Sequence, residues 1–247
     1  MLIFAALGMG AFFLVGLAVS FRLVLLWRRS GEWPELLVAG GLLFSGPIGF
    51  TASAGAFELL HSNPTASAWL LGTGSAALSI GAVSAAAFTR LVFRPESGAA
   101  RRFLWFLALA LLAAWVTGGL ESGFYVADGL GAWGYASQVL RIGAMAWGTW
   151  ETLRYWRLMR RRRALGLAEP VVANRFLLWG IGSGGGAAAA LVGLASTIAN
   201  AGKLGVDGPT LIAISAIGMV AAAALFLAFL PPQGYRRFVE RRAEARA

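Results

Sequence analysis

The chain has 247 residues, of which 58% are hydrophobic and 13% charged, and its mean hydropathy is +0.71. Ordinary soluble domains contain roughly 45–50% apolar and about 25% charged residues, so this composition predicts an all-α polytopic membrane protein. The formal net charge of +10 lies in the connections between apolar segments and not on one soluble face. We therefore interpret it as a topology signal and predict no nucleic-acid binding.

Two residue types that carry much of metal and redox chemistry are missing or nearly so. The chain has no cysteine and a single histidine, His61. This excludes disulfides, thiolate metal sites, a cysteine nucleophile and a bis-histidine haem within the chain. No spacing indicates a nucleophile–base pair or a metal-ligand cluster, so we predict a protein that is not an enzyme, with no metal site and no cofactor. Non-covalent lipid or pigment binding leaves no reliable motif, and we leave it open.

Seven apolar segments are long enough to cross a hydrocarbon core of roughly 30 Å. They cover residues 3–27, 35–60, 67–93, 103–123, 133–156, 175–200 and 208–230. No connection is long enough for a soluble domain, so we predict one seven-helix domain over 1–234 and a basic tail over 235–247. The tail is compatible with a short amphipathic helix on the inner leaflet and equally with a solvated extension.

The arginines are distributed very unequally between the two sides that alternate connections define. The first, third and fifth connections and the tail carry two, four, seven and five arginines, whereas the other side carries only Lys203. Positive residues collect on the cytoplasmic side of membrane proteins. We therefore predict an outward N-terminus, a cytoplasmic C-terminus and a bacterial inner-membrane location.

The second and sixth predicted spans contain residues that alter helix geometry or packing. Pro47 should kink or open the second span, because it lacks an N–H and crowds the preceding turn. The sixth span carries small-residue spacings that let another backbone approach closely. These are Gly180 with Gly184 and Gly182 with Gly186. The third span has a second small-residue face that includes Ser75 and Gly81.

Arg141 is the most costly residue of the chain, because it lies inside the fifth span. One interpretation is that its side chain extends outward to the lipid headgroups. The other is a partnered charge that faces the bundle interior beside Gln138, and it predicts a carboxylate partner, with Glu121 favoured over Glu58. The outward acids, with His61 and Asp128, fall in one layer of the outer leaflet. We therefore predict an outer polar ligand site from Arg141, Gln138, Glu121, Glu58 and His61.

Glu151 lies near the inner end of the same span, three residues before Arg154. This spacing predicts an intrahelical charge pair. A proton-relay or gating carboxylate is the alternative interpretation.

The layout resembles that of microbial rhodopsins and of G-protein-coupled receptors, which share seven helices, an outward N-terminus and a cytoplasmic C-terminus. Microbial rhodopsins hold retinal through a lysine of the seventh helix, and the seventh span here has none. A covalent retinal is therefore not expected. The receptor patterns Asp-Arg-Tyr and Asn-Pro-x-x-Tyr are also missing, so no family is assigned.

Three functions remain open at this stage. The first is a non-enzymatic sensor or receptor-like protein with an outer polar site and a basic cytoplasmic surface for a partner. The second is a structural or accessory subunit of a larger membrane assembly, with a membrane-protein partner or a second copy of the chain. The third is a small-solute transporter, which internal repeats would have favoured. Membrane lipids are predicted partners in every case.

Overall fold

The computed structural model describes residues 2–127, 129–203 and 207–244, so Asp128 lies outside the described residues. Within these ranges the chain is helical and contains no strand. The helices are α1 (Leu2–Ser30), α2 (Trp33–Leu43), a π-helical segment (Phe44–Phe50), α3 (Thr51–Leu59), α4 (Pro64–Phe93), α5 (Gly98–Ser122), α6 (Ala132–Ala164), α7 (Pro170–Ala199), α8 (Gly208–Phe229) and α9 (Gln233–Glu244).

Six helical stretches of the described chain are long and apolar enough to cross a membrane. They are α1, the continuous stretch from α2 to α3, and helices α4, α5, α7 and α8. This count indicates a multi-pass membrane protein and is one lower than the seven spans predicted. The difference is α6, which has 33 residues and therefore ample length. Its composition is less apolar because it carries Gln138, Arg141 and the arginine-rich end from Arg154.

Helix boundaries follow local capping chemistry. Asn63, Ser97 and Asp207 each accept a hydrogen bond from a backbone N–H in the first turn of the helix that follows. Proline occupies the first turn of α2, α4, α7 and α8, where a missing N–H costs nothing. Helix α7 therefore begins at Pro170, five residues before the predicted span.

The helices form a ring with one helix outside it. Around the ring, α1 packs on α2 and on the π-helical segment, the column of α2 and α3 packs on α4, and α4 is followed by α6, α7 and α8. Contact between α8 and α1 closes the ring. In the part of the chain that the structure describes, helix α5 packs mainly on α4 and α6 and lies outside the ring. Connections 31–32, 94–97, 165–169 and 230–232 lie at one end, which we call the basic end because most arginines are there.

Neighbouring helices are joined through small polar side chains. The Ser20 hydroxyl donates to the Ala39 carbonyl at 3.1 Å and joins α1 to α2. The Thr149 hydroxyl donates to the Ser183 hydroxyl at 3.1 Å and joins α6 to α7. In lipid such bonds hold helices together, because hydrocarbon offers the same groups no partner.

The glycines of α7 allow close packing on two sides. A Cβ atom at Gly180 would lie 2.5 Å from Leu153 of α6, and one at Gly184 would lie 3.1 Å from Thr149 of α6. Gly182 instead faces α8, where a Cβ would lie 2.6 Å from Leu225. A Cβ atom at Gly186 would lie 3.6 Å from Met145 Sδ of α6. The Gly182–Gly186 pair therefore does not form a single packing face.

The opening predicted at Pro47 takes the form of the π-helical segment Phe44–Phe50, in which Pro47 is buried. Within α3, the Ser53 hydroxyl donates to the Gly49 carbonyl at 2.8 Å, which satisfies one acceptor of this segment. A single π turn inside a helix is often found at a functional site.

The basic tail contains a helix, α9, rather than only an extended chain. It lies against α7, where the Asn174 amide donates to the Tyr235 hydroxyl at 2.7 Å. Phe238 is exposed beside the α9 arginines, and the Arg242 guanidinium lies over its ring at 6.0 Å. The tail is therefore helical from Gln233 to Glu244, as the first of the two alternatives requires, and its place on the inner leaflet stays a prediction.

Candidate functional site

The ring encloses a cavity of about 470 Å³. This volume is in the range of small-molecule sites, which are usually concave and mostly apolar. Every column of the ring contributes to its lining, and α5 contributes no residue. The apolar lining includes Phe12 of α1, Phe57 of α3, Leu78 of α4, Met145 of α6 and Ala221 of α8.

Among the described residues that line this cavity, Arg141 is the only charged one. It lies nine residues after the start of α6, or about 14 Å along the helix at 1.5 Å per residue. Its Nη2 donates to the Ser75 hydroxyl of α4 at 2.8 Å. Its Nε is shielded from solvent and has no hydrogen-bond partner in the described part of the chain. The guanidinium, which offers five donors, is thus only partly satisfied.

A few further polar groups lie around Arg141. Gln138, one turn earlier on α6, lines the same cavity, as predicted from the shared helical face. Ser75 lies on the small-residue face of the third predicted span, but the sequence did not identify it as the partner of Arg141. Ser45 of the π-helical segment and Ser53 of α3 also line the cavity. The cavity therefore combines a largely apolar wall with one cation and a few neutral polar groups.

The predicted ion pair between Arg141 and an outer carboxylate is wrong for the described residues. The ion pairs within 4.0 Å involve neither Glu121 nor Glu58. Both acids and His61 are exposed and lie outside the cavity lining. Glu58 and Glu121 lie in the last turns of α3 and α5, whereas Arg141 lies about 14 Å along α6, so position along the helices separates them as well as side-chain direction.

Glu151 is buried at the basic end and contacts two arginines. The Arg94 Nε donates to its Oε1 at 2.8 Å, and Arg154 Nη1 lies 3.6 Å from its Oε2. The predicted neighbour Arg154 is therefore the more distant one. Arg94 is the C-cap residue of α4, 57 positions earlier in the chain, and no local pattern connects it to Glu151.

Aromatic side chains fill the interior of the helix ring between the cavity and the basic end. Phe88 of α4 stacks on Trp179 of α7 with ring centroids 4.6 Å apart, and Phe229 of α8 lies 5.2 Å from Trp179. Along their helices, these aromatic residues lie closer to the basic end than the cavity-lining residues do, such as Ala85 of α4 and Ala221 of α8. The packed aromatic side chains thus separate the cavity from the arginine-rich surface.

At the opposite end, the connection between α5 and α6 folds over the ring. Leu130 and Trp133 line the cavity there. The Leu130 N–H donates to the Gly202 carbonyl at 2.8 Å, which joins this connection to the one after α7. Trp133 also packs in a buried cluster with Ala56 and Leu71.

No group of three or more histidine, aspartate or glutamate side chains that could hold a metal ion occurs in the described ranges. The arrangement is suited to holding an apolar molecule that carries an acidic or carbonyl oxygen, because that oxygen would complete the hydrogen bonds of Arg141. Comparison of the chain with protein-family models, curated proteins and solved structures gave no match.

Proposed function

We propose that the protein is a non-enzymatic sensor or receptor-like membrane protein that binds an apolar small molecule in the cavity of the ring. In this proposal the Arg141 guanidinium and the Gln138 amide bind an oxygen of the ligand, and the apolar wall binds its body. The outer residues Glu58, His61 and Glu121 are not part of the site, because they lie outside the cavity.

The observation that carries the proposal is the incomplete hydrogen bonding of Arg141. A cation in a low-dielectric interior is costly unless it is paired and its donors are satisfied. Arg141 bonds to a neutral hydroxyl, and its Nε has no partner among the described residues. A ligand with an anionic or carbonyl oxygen would supply the hydrogen-bond acceptor that the described chain does not give Arg141.

Helix α6 offers a physical link between the ligand site and the basic surface. Arg141 lies on the same continuous helix as Glu151 and the arginines from Arg160 to Arg163. At its basic half, α6 is joined to the end of α4 by the Arg94–Glu151 pair. If α6 can adopt two arrangements relative to its neighbours, a ligand that binds one arrangement more tightly would increase the population of that arrangement. The basic end would then present a different surface to a cytoplasmic partner.

The proposal includes seven spans, with α6 as the fifth. Three observations support it: α6 has spanning length, it lies in the ring between α4 and α7, and its polar residues Gln138 and Arg141 face the cavity. The basic end would face the cytoplasm of a bacterium, in accordance with the positive-inside rule.

Small molecules that co-purify with the protein provide the test. Wild type and Arg141→Gln would be purified in parallel with Arg102→Gln, which removes the same charge at an exposed site of α5. We expect mass spectrometry of extracts to show a species that wild type and Arg102→Gln retain and that Arg141→Gln loses at least tenfold. Extracts in which no species differs between wild type and Arg141→Gln would contradict the proposal.

A further inference from the structure

One side of the cavity lies between two helices that make few contacts with each other in the described part of the chain. In its inner half, α1 is held against α2 by the Ser20 hydroxyl bond to Ala39. Further out it crosses the π-helical segment, where a Cβ at Gly16 would lie 3.3 Å from Pro47. Beyond this crossing, α1 packs on α8, and a Cβ at Gly8 would lie 2.7 Å from the Ser215 carbonyl oxygen. Among the described residues, α1 makes at most marginal contact with α3.

Two phenylalanines mark this side of the cavity. Phe50 and Phe57 line the cavity and are each 41% exposed. Phe50 ends the π-helical segment and Phe57 lies in α3, on the side where α1 makes at most marginal contact. We call the space between the outer half of α1 and α3, bordered by Met9, Phe50 and Phe57, the lateral gap. In a membrane this gap faces hydrocarbon.

We infer that the ligand is a bilayer-dissolved amphiphile with an acidic oxygen head group, which enters through the lateral gap and keeps its chain there. This inference rests on the proposed function and specifies its ligand class. The Arg141 cation selects the acidic head, whether carboxylate or phosphate monoester. The apolar lining selects the chain. The cover that Leu130 and Gly202 form at the outer end favours entry from the side over entry from water.

The test uses the full-length protein in phosphatidylcholine bilayers with hexadecanoate that carries a photoreactive diazirine at the chain end. We expect the label on peptides that contain Met9, Phe50 and Phe57. Arg141→Gln should reduce this labelling at least tenfold, and the charge-matched control Arg102→Gln should leave it unchanged. Labelling confined to Ala82 and Ala221, or to the outer face of α5, would overturn the inference.

Competition separates the ligand classes. Unlabelled hexadecanoate and hexadecyl phosphate should each compete, whereas butanoate, inorganic phosphate and hexadecanol at equal concentration should not. If butanoate competes as well as hexadecanoate, the ligand is a water-soluble acid, and the inference fails while the proposed function stands. If labelling does not depend on Arg141, the inference and the proposed function both fail.

Access through the gap is tested with cysteines, because the chain contains none of its own. Phe57→Cys would be reacted with a bulky maleimide, and Leu112→Cys on α5, exposed and outside the cavity lining, is the matched control. We expect the Phe57 adduct to reduce labelling of the Phe50 peptide at least fivefold within a fixed time. Equal labelling of the two adducts would overturn lateral entry.

Discussion

In the proposed function, Arg141 serves ligand binding at the expense of stability. Its charge is not paired with any described carboxylate, although such a pair would have been the simplest way to tolerate it. Replacing a buried ion pair by well-packed apolar residues of similar volume is often neutral or stabilising by roughly 1–4 kcal/mol, and a cation without a carboxylate partner has still less to offset its burial. This relation gives a prediction that distinguishes a ligand-binding arginine from a structural one.

We expect Arg141→Met to leave the free energy of unfolding unchanged or to raise it by about 1–3 kcal/mol, because an incompletely bonded cation is removed from the interior. The same variant should lose the co-purifying ligand. Unfolding in mixed micelles, monitored by circular dichroism, measures the first effect. A loss of more than about 1 kcal/mol in ligand-free protein would mean that the bond to Ser75 is structural.

Glu151 presents the opposite case, a buried carboxylate with two cationic neighbours. We expect Arg94→Gln to destabilise the protein by about 1–2 kcal/mol, since it removes a charge-assisted hydrogen bond from a partly exposed arginine. Arg154→Gln should destabilise the protein less, because Arg154 lies farther from Glu151 than Arg94 does and is more exposed. A double-mutant cycle of Arg94→Gln with Glu151→Gln should give a coupling energy of at least about 0.5 kcal/mol. Strict additivity would show that the contact contributes nothing.

At the scale of elements, close approach of backbones decides which helices are neighbours. Gly81 of α4 faces the start of the π-helical segment, where a Cβ would lie 2.7 Å from the Ser45 backbone nitrogen and 3.1 Å from the Gly41 carbonyl oxygen. Backbone atoms cannot move aside as a flexible side chain can. The third predicted span had this small-residue face, but the sequence did not identify its partner.

We therefore expect Gly81→Ala to destabilise the protein by about 1–3 kcal/mol through overpacking against α2 and the π-helical segment. Gly143→Ala is the control, because no heavy atom lies within 4 Å of a Cβ at that position of α6. There alanine should leave stability unchanged or raise it slightly, since glycine is the weaker helix former. Equal effects of the two variants in mixed micelles would rule out the close-packing explanation.

For the whole molecule, the question that single residues cannot answer is whether α6 crosses the membrane. Ser62 and Lys203 lie in connections at one end of the ring, and Leu167 lies at the basic end after α6. In the cysteine-free chain, single cysteines at these exposed positions can be labelled one at a time. If α6 is a span, a membrane-impermeant maleimide applied to intact cells should label Ser62→Cys and Lys203→Cys but not Leu167→Cys.

Labelling of Leu167→Cys only after the cells are permeabilised serves as the control for reactivity. The reverse pattern would invert the predicted orientation. Labelling of Leu167→Cys together with Ser62→Cys in intact cells would mean that α6 does not cross, and the six apolar stretches would then need another topology.

The sequence by itself determined the helical class and the approximate limits of the six apolar stretches that are long enough to cross a membrane. These properties depend on local composition: about 20 apolar residues form a helix in hydrocarbon, and proline and polar caps mark its ends. The opening at Pro47 could be predicted for the same reason. The position of Gln138 beside Arg141 also needed only the helical repeat.

Only the tertiary structure decided which residues meet across helices. The bond of Arg141 to Ser75, the pair of Arg94 with Glu151 and the exclusion of Glu121 from the cavity all depend on the order and rotation of helices in the ring. That order is set by the sum of many close contacts at glycine and serine, and several faces of the chain carry such residues. A sequence gives the depth of a side chain along its helix. Its direction around the helix axis relative to the neighbours exists only once all the helices have packed.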